Sequence, residues 1–125
     1  ERFIIELQNL NFFNKIEIYN SDAIDMSGFL KVGSIDYILA INVIYFLNPL
    51  EDYIKEMFRV IRPNGKILIV CKEAPLKNGH DSVFINKDIN KMIEIITKVG
   101  FIVEKKNIDL KNKKFNYTAI IMKKQ

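Results

Sequence analysis

Hydrophobic and polar positions alternate along this chain with two periods, and each change of period marks an element boundary. Residues 2–10 place apolar side chains three to four apart, which predicts a helix. Residues 15–19 alternate and are rich in β-branched side chains, which predicts a strand, and residues 24–30 form a loop or one short helix. Residues 34–41 and 66–71 are nearly continuous apolar runs, typical of parallel strands covered on both faces.

The segment between these two apolar runs predicts an amphipathic helix. Its apolar stripe consists of Leu50, Tyr53, Ile54, Met57, Phe58 and Ile61, and its polar face of Asp52, Lys55, Glu56 and Arg59. Asn48 is the predicted N-cap, Pro49 the first helical residue, and Glu51 the partner that reaches back to the Asn48 amide. The helix is expected to stop at Arg62–Pro63.

A tight turn at Asn64–Gly65, with both residues at positive φ, is predicted to lead into the strand at 66–71. Strand, helix, short turn and strand together form a right-handed βαβ unit. The fold class is therefore α/β.

The last third of the chain predicts a second helix and an antiparallel hairpin. Asn86 is the predicted cap of a helix whose apolar residues fall at 89, 92, 93, 96 and 99, and Gly100 ends it at positive φ. Residues 101–108 and 115–122 alternate and are separated by a Lys/Asn-rich turn, which predicts paired strands.

Composition and residue counts exclude several classes of protein. The chain has 125 residues, 49% hydrophobic and 27% charged, which suits one globular domain. No apolar run approaches the roughly 18 residues of a membrane span. Cys71 and His80 are the sole cysteine and histidine, so neither an internal disulfide nor a Cys/His zinc module fits. The expected location is the cytoplasm.

The formal net charge of +4 is concentrated at the end of the chain. Residues 104–125 carry seven lysines against two acidic residues, a net charge of +5, whereas residues 1–103 carry 12 basic and 13 acidic side chains. Lysines without arginine or interleaved aromatic residues are typical of a solvated surface, so a nucleic-acid partner is not expected.

The order of these elements and four local segments resemble the class I S-adenosylmethionine-dependent methyltransferases of the small-molecule type. The segments are residues 19–23 (YNSDA), 33–40 (GSIDYILA), 42–47 (NVIYFL) and 58–68 (FRVIRPNGKIL). The resemblance implies a Rossmann-like sheet with strand order 3-2-1-4-5-7-6. In it, residues 15–19 and 34–41 would be strands 3 and 4, and the final hairpin strands 6 and 7.

The first part of that fold has no counterpart in the sequence. The family holds the methionine part of its cofactor in an acidic Gly-x-Gly loop after strand 1, whereas this chain has five glycines and none in a Gly-x-Gly. We therefore expect residues 1–125 to form one partial domain, strands 3 to 7, inactive by itself and with weak or no binding of S-adenosylmethionine. Strand 35–41 would be left as a bare edge, and a second copy or a missing N-terminal segment would cover it.

The resemblance also implies site residues. The Asp22 carboxylate would accept a hydrogen bond from the adenine amino group, and the Ala23 amide would meet a ring nitrogen. Asn42 and Val43 would lie beside the cofactor. The residues expected near the small-molecule acceptor are Tyr45, Phe46 and His80.

Simpler interpretations stay open for these residues. Asp22 could cap the 24–30 segment instead, and Val43 and Phe46 could belong to the core with Tyr45 on the surface. His80 and Glu73 could be ordinary loop side chains.

Asp36, at the amino end of its strand, favours a structural role, since ligands of α/β sheets bind at the carboxyl ends. Cys71 favours an inert buried thiol.

Two other functions compete with methyl transfer. One is a noncatalytic dimerisation or partner-binding module that acts through the exposed strand edge. The other is a response-regulator receiver, which is disfavoured because Asn42 stands where the phospho-accepting aspartate is needed.

Overall fold

The computed structural model describes residues 15–72, 84–109, 111 and 116–125. The elements are β1 (Ile35–Ile41), a 3₁₀ turn (Ile44–Phe46), α1 (Leu50–Val60), β2 (Ile61–Lys72), α2 (Ile89–Val99), β3 (Ile102–Ile108) and β4 (Tyr117–Lys123). The predicted helix at 2–10 lies outside the described residues, as do Glu73 and His80.

The sheet has four strands in the order β1-β2-β4-β3. β1 and β2 are parallel, whereas β4 runs antiparallel to both of its neighbours. The predicted βαβ unit and C-terminal hairpin are confirmed. The order is also the one that the resemblance implies for strands 4, 5, 7 and 6.

Both helices pack on one apolar layer of the sheet. Its fully buried side chains in β2 and β4 are Ile67, Ile69, Cys71, Ile120 and Met122, and those facing them from the helices are Ile54, Met92 and Ile96. Alternation with period two in the strands and with helical spacing in α1 and α2 produces this layer. The core lies on this face of the sheet as the sequence pattern predicts. The opposite face of β1, formed by Tyr37, Leu39 and Ile41, is exposed among the described residues, so the expected cover on both faces of that strand is not found there.

The C-terminal end of α1 is closed by a residue from the end of the chain. The Lys124 ammonium donates to the carbonyl oxygens of Phe58, at 2.7 Å, and Ile61, at 3.1 Å. It also lies 4.4 Å from the centre of the Phe58 ring. A cation at these unpaired helix carbonyls fixes the end of β4 to α1.

The start of α1 differs from the prediction. Pro49 is the N-cap, with φ −72° and ψ 135°, and no side chain caps the helix. Glu51 does not reach back to Asn48, because its carboxylate pairs with Lys55 at 2.7 Å. The predicted Asn48 capping box is therefore wrong.

The turn after α1 is built into β2 rather than placed before it. Ile61 is already extended and pairs with Ile35, and the register then shifts so that Lys66 pairs with Tyr37. Asn64 has the predicted positive φ, 65°, but Gly65 does not. Gly65 is needed for space, since a Cβ there would lie 2.6 Å from Ile61 Cγ1 and 2.8 Å from the Arg62 oxygen.

The start of α2 also differs by two residues. Asp88 is the N-cap, and its Oδ1 accepts from the backbone amides of Asn90 and Lys91. Asn86 instead donates its side-chain amide to the carbonyls that precede α1, described below. Gly100 ends the helix at φ 125°, a positive φ as predicted.

Residues 15–20 do not form the predicted strand. They are mostly exposed, and none is paired in the sheet, whose first described strand is β1. Alternation alone does not make a strand where no neighbouring strand supplies hydrogen bonds. Tyr19 instead stacks on Phe29, with ring centres 4.0 Å apart.

Glu56 was predicted on the exposed face of α1 but is buried. Its carboxylate accepts from the Met26 amide at 2.6 Å and from two nitrogens of Arg59 at 2.6 and 2.8 Å. The hydrogen bonds from Arg59 hold the pKa of Glu56 below its ordinary value. Arg59 also donates to the Leu30 oxygen, so this ion pair ties the 22–33 segment to α1.

Replacing Gly65 with alanine tests the packing of the bulge in β2. We expect Gly65→Ala to lower the free energy of unfolding by about 2 kcal/mol, because its Cβ collides with backbone and with a buried isoleucine. Gly28→Ala is the matched control, since no atom lies within 4 Å of its Cβ position. Urea unfolding of both variants measures the difference, and equal stabilities would contradict this packing.

Candidate functional site

The carboxyl ends of the two parallel strands lie side by side at one edge of the sheet. β1 ends at Ile41, and the Asn42 amide continues the pairing by donating to the Val70 oxygen at 2.9 Å. Asn42 then turns the chain away with φ 55°, a conformation that asparagine tolerates better than most residues. Ligands of open α/β sheets bind at such an edge, so it is the candidate site.

The Tyr45 hydroxyl links the ends of both parallel strands by hydrogen bonds. Its side chain is 2% exposed, and its hydroxyl accepts a hydrogen bond from the Lys72 amide. The hydroxyl also lies 3.1 Å from Asn42 Oδ1 and 3.2 Å from the Lys72 oxygen, the two acceptors available to its proton. Burial raises the pKa of Tyr45, so the hydroxyl stays protonated.

The alternative in which Tyr45 is a surface residue is therefore wrong. Val43 and Phe46, which that alternative placed in the core, are both exposed, Phe46 by 50%. The 3₁₀ turn places Ile44 and Tyr45 inward, whereas Val43 and Phe46 face outward.

An aromatic cluster, formed by Tyr45, Phe46 and Phe84, lies next to this edge. The Phe84 ring centre is 5.5 Å from that of Tyr45 and 5.3 Å from that of Phe46. Phe84 precedes α2 and was not singled out from the sequence, because no periodic pattern surrounds it. The exposed Phe46 gives the cluster an accessible apolar surface.

The segment before α2 is hydrogen-bonded to the 3₁₀ turn and to the residue after it. The Ile85 and Asn86 amides donate to the Tyr45 oxygen at 2.8 and 3.1 Å. The Asn86 side-chain amide donates to the oxygens of Ile44 and Leu47 at 2.6 and 2.8 Å. Asn86, predicted to cap a helix, is thus a structural link between two loops at the candidate site.

An apolar groove of about 470 Å³ runs along β1 beside this edge. The 22–33 segment, β1 and α1 form its walls, and its lining includes Ala23, Met26, Val43, Leu47, Tyr53 and Met57. Predominantly apolar concave surfaces with a few polar groups are typical of ligand sites.

Asp22 stands beside Tyr53, a lining residue of that groove. Asp22 Oδ1 accepts from the Ile24 amide at 3.1 Å, but residues 24–30 form turns and not the short helix that Asp22 was expected to cap in the simpler interpretation. The Tyr53 hydroxyl hydrogen-bonds to the Asp22 carboxylate, which raises the pKa of Tyr53. Tyr53 was predicted as part of an apolar stripe, although tyrosine at such a position has a polar tip that needs a partner.

The structure thus brings several predicted site residues to one edge of the sheet. Ala23 and Val43 line the same groove, and Asp22 joins it through Tyr53. Asn42 is the first residue beyond β1, next to Val43. Tyr45 and Phe46 belong to the aromatic cluster, and His80 lies outside the described residues.

Asp36 and Cys71 have the structural environments that the sequence favours for them. Asp36 pairs with Arg62 at 2.6 Å at the amino end of β1, away from the candidate site. Cys71 is fully buried, and burial raises its pKa to about 11. Within residues 15–72, 84–109, 111 and 116–125, no cluster of three metal-ligating side chains occurs and no helix is long and apolar enough to cross a membrane.

Comparison of the sequence with protein families identifies the class. The profile of the methyltransferase domain family matches residues 3–69, more than half of the chain. The chain belongs to the S-adenosylmethionine-dependent class I methyltransferases, and S-adenosylmethionine is the cofactor of that family. A comparison with curated proteins gives no sequence match.

Solved structures share this Rossmann-like fold at low sequence identity. A putative sarcosine dimethylglycine methyltransferase from Galdieria sulphuraria superposes with a TM-score of 0.79 at 9% identity, over 99% of this chain and 65% of that one. The [4+2]-cyclase SpnF superposes with a TM-score of 0.78 at 10% identity, over 97% of this chain and 61% of that one. Because a cyclase has the same fold, the fold alone does not define the reaction.

A third structure carries the cofactor. Phosphoethanolamine N-methyltransferase 2 from Haemonchus contortus, in complex with S-adenosyl-L-methionine, superposes with a TM-score of 0.64 at 16% identity, over 83% of this chain and 36% of that one. This chain therefore spans less than two thirds of the length of each of the three structures.

The residues present suit one half of that cofactor. The groove offers apolar walls for an adenine ring, with a carboxylate at Asp22 and backbone amides nearby. The sequence contains no Gly-x-Gly loop for the methionine half.

Thiol labelling tests the inert interpretation of Cys71. At mildly alkaline pH we expect the folded chain not to react with Ellman's reagent, since a buried thiol with a pKa of about 11 supplies almost no accessible thiolate. In urea one equivalent should react. Rapid labelling of the folded chain at the rate seen in urea would contradict burial of Cys71.

Proposed function

We propose that this chain forms the adenine side and the acceptor side of an S-adenosylmethionine-dependent methyltransferase that methylates a small molecule. The observation that carries the proposal is the convergence of Ala23, Val43 and Tyr53 on one apolar groove, with Asp22 next to Ala23 in the chain. The 22–33 segment, the end of β1 and α1 supply these residues, and an apolar groove with polar groups at its margin suits a nucleoside.

The proposed roles follow from the chemistry of each group. One Asp22 oxygen is used by the Ile24 amide, and the carboxylate keeps further lone pairs for the adenine amino group. The Ala23 amide would meet a ring nitrogen of the adenine. Val43 would pack against the nucleoside, and Asn42 would contact it from the end of β1.

S-adenosylmethionine supplies an electrophilic methyl group, and the residues of such a site align the acceptor and exclude water. The exposed ring of Phe46, backed by Phe84, offers an apolar wall for the acceptor. His80, which lies between β2 and α2 in the sequence, is proposed to lie near the acceptor too. We place the protein in the cytoplasm, in keeping with its single cysteine.

The methionine half of the site would come from outside these residues. We propose that residues 1–125 are one part of a methyltransferase domain and bind the cofactor weakly unless a glycine-rich strand–loop–helix unit completes the site. That proposal rests on the glycine pattern of the sequence and on the side of β1 that pairs with no strand in residues 15–72, 84–109, 111 and 116–125.

Adenosine tests the adenine side directly. In a ¹H–¹⁵N NMR titration to millimolar concentration, we expect shifts concentrated at residues 22–23 and 42–43. Asp22→Asn should weaken binding about tenfold, since the amide that replaces one carboxylate oxygen opposes the adenine amino group.

Asp88→Asn is the control for this titration. Asp88 caps α2 outside the groove lining, and asparagine caps as well as aspartate. Shifts scattered over the surface, or equal binding by wild type and Asp22→Asn, would contradict the proposed adenine site.

A second function is favoured by β1, which among the described residues has a strand partner on one side only. Tyr37, Leu39 and Ile41 form one face of β1, and Tyr37 and Leu39 are 71% and 64% exposed, so an uncovered apolar face adjoins this edge. The opposite edge strand, β3, carries charged side chains such as Glu104 and Lys106, which discourage strand addition. The β1 edge is thus the better surface for a partner, and we propose that a second copy or an N-terminal segment of the intact domain covers it.

Sedimentation equilibrium tests whether the β1 edge associates with a second copy. We expect the average mass of the wild-type chain to rise with concentration and Leu39→Lys to remain a monomer, because a charge would be buried in the interface. Ile102→Lys, an exposed position on β3, is the control and should associate like the wild type. A wild-type chain that stays monomeric throughout would contradict self-association.

A further inference from the structure

The oxygen and the nitrogen of the Asn42 carboxamide differ in their hydrogen bonding. Its oxygen lies 3.1 Å from the Tyr45 hydroxyl, whereas its nitrogen has no hydrogen-bond acceptor among the described residues. Asn42 is exposed and holds a positive φ of 55°. A carboxamide with its oxygen held inward turns both N–H bonds outward, so the residue displays donors at the carboxyl edge of the sheet.

The group that holds this oxygen cannot move freely. Tyr45 is buried, its ring contacts those of Phe46 and Phe84, and its backbone oxygen accepts from the Ile85 and Asn86 amides. Its hydroxyl is further tied to the backbone amide of Lys72, at the end of β2. The position of the hydroxyl is therefore set by three separate segments of the chain.

We propose that Tyr45 is a positioning residue whose hydroxyl clamps the ends of β1 and β2 together and orients Asn42 as an outward hydrogen-bond donor. What accepts that hydrogen bond rests on the proposed function and would be an oxygen of the bound ligand. The oxygen belongs either to a ribose hydroxyl or to the amino-acid carboxylate of the cofactor. A structural role in stability alone would not require the orientation of Asn42.

Two substitutions distinguish the role of Tyr45 in holding the strand ends from the role of Asn42 as a hydrogen-bond donor. Tyr45→Phe keeps the ring and removes the hydroxyl, so both contacts to Asn42 and Lys72 are lost. Asn42→Asp keeps an oxygen toward Tyr45 and tolerates positive φ, but it has no N–H to donate. Tyr19→Phe, at an exposed tyrosine outside the groove lining, is the control.

Amide hydrogen exchange tests, without any ligand, whether the Tyr45 hydroxyl holds the end of β2. We expect the Lys72 amide to exchange about tenfold faster in Tyr45→Phe than in wild type, while amides in the middle of β2 are unchanged. Asn42→Asp and Tyr19→Phe should leave Lys72 protected. Unchanged exchange at Lys72 in Tyr45→Phe would overturn the clamp.

Titrations with S-adenosylhomocysteine and with adenosine, both followed by NMR, test whether Asn42 donates a hydrogen bond to a bound ligand. We expect the Asn42 side-chain amide signals to shift in wild type, and binding to weaken about tenfold in both Tyr45→Phe and Asn42→Asp at a temperature well below the melting temperature of each variant. Weakening toward both ligands identifies a ribose hydroxyl as the acceptor. Weakening toward S-adenosylhomocysteine alone identifies the carboxylate.

Wild-type affinity in Asn42→Asp would overturn the role of Asn42 as a donor. If neither ligand shifts any wild-type signal, the proposed function fails for this chain, and the exchange of Lys72 still decides whether Tyr45 is a clamp.

Discussion

β2 is the constraint on which the rest of the structure depends. It is paired on both sides, with β1 in parallel and β4 antiparallel, and its inward side chains Ile67, Ile69 and Cys71 are fully buried. A strand bonded on both sides and covered by helices has one register, because a slip by one residue would expose its apolar face. The ends of β1 and α1, and with them the candidate site, are placed relative to this strand.

In the described part of the chain β1 has one strand partner, and this links the two proposed functions. The apolar groove runs along β1, and Ala23 and Val43 line it together with exposed strand residues such as Leu39. Whatever pairs with β1 therefore also closes the wall of the ligand site. Cofactor binding and partner binding are in this respect properties of one surface, and completing the edge is expected to strengthen the site.

Elements with a clear period were predictable from the sequence, whereas the polar residues at their ends were not. The two helices, the parallel pair and the hairpin follow from alternation and helical spacing. The caps at Asn48 and Asn86 were wrong because side-chain partners depend on tertiary contacts: Asn86 bonds to a distant turn. Burial of Glu56 and Tyr45 was missed for the same reason, since each is satisfied by segments remote in sequence. The family resemblance predicted site residues that the structure brings to one edge of the sheet, but the effect of Asp22 on the pKa of Tyr53 needed the structure.

Amide hydrogen exchange along β1, in a solution dilute enough for the monomer, tests most directly whether this strand is an open edge. Because the Asn42 amide points to β2, the amides of Ile38 and Ala40 point the same way, and those of Tyr37 and Leu39 point outward. The account predicts alternating protection, slow at the first pair and fast at the second. Uniformly slow exchange at all four positions in the monomer would show that β1 is paired on both sides and would contradict the account.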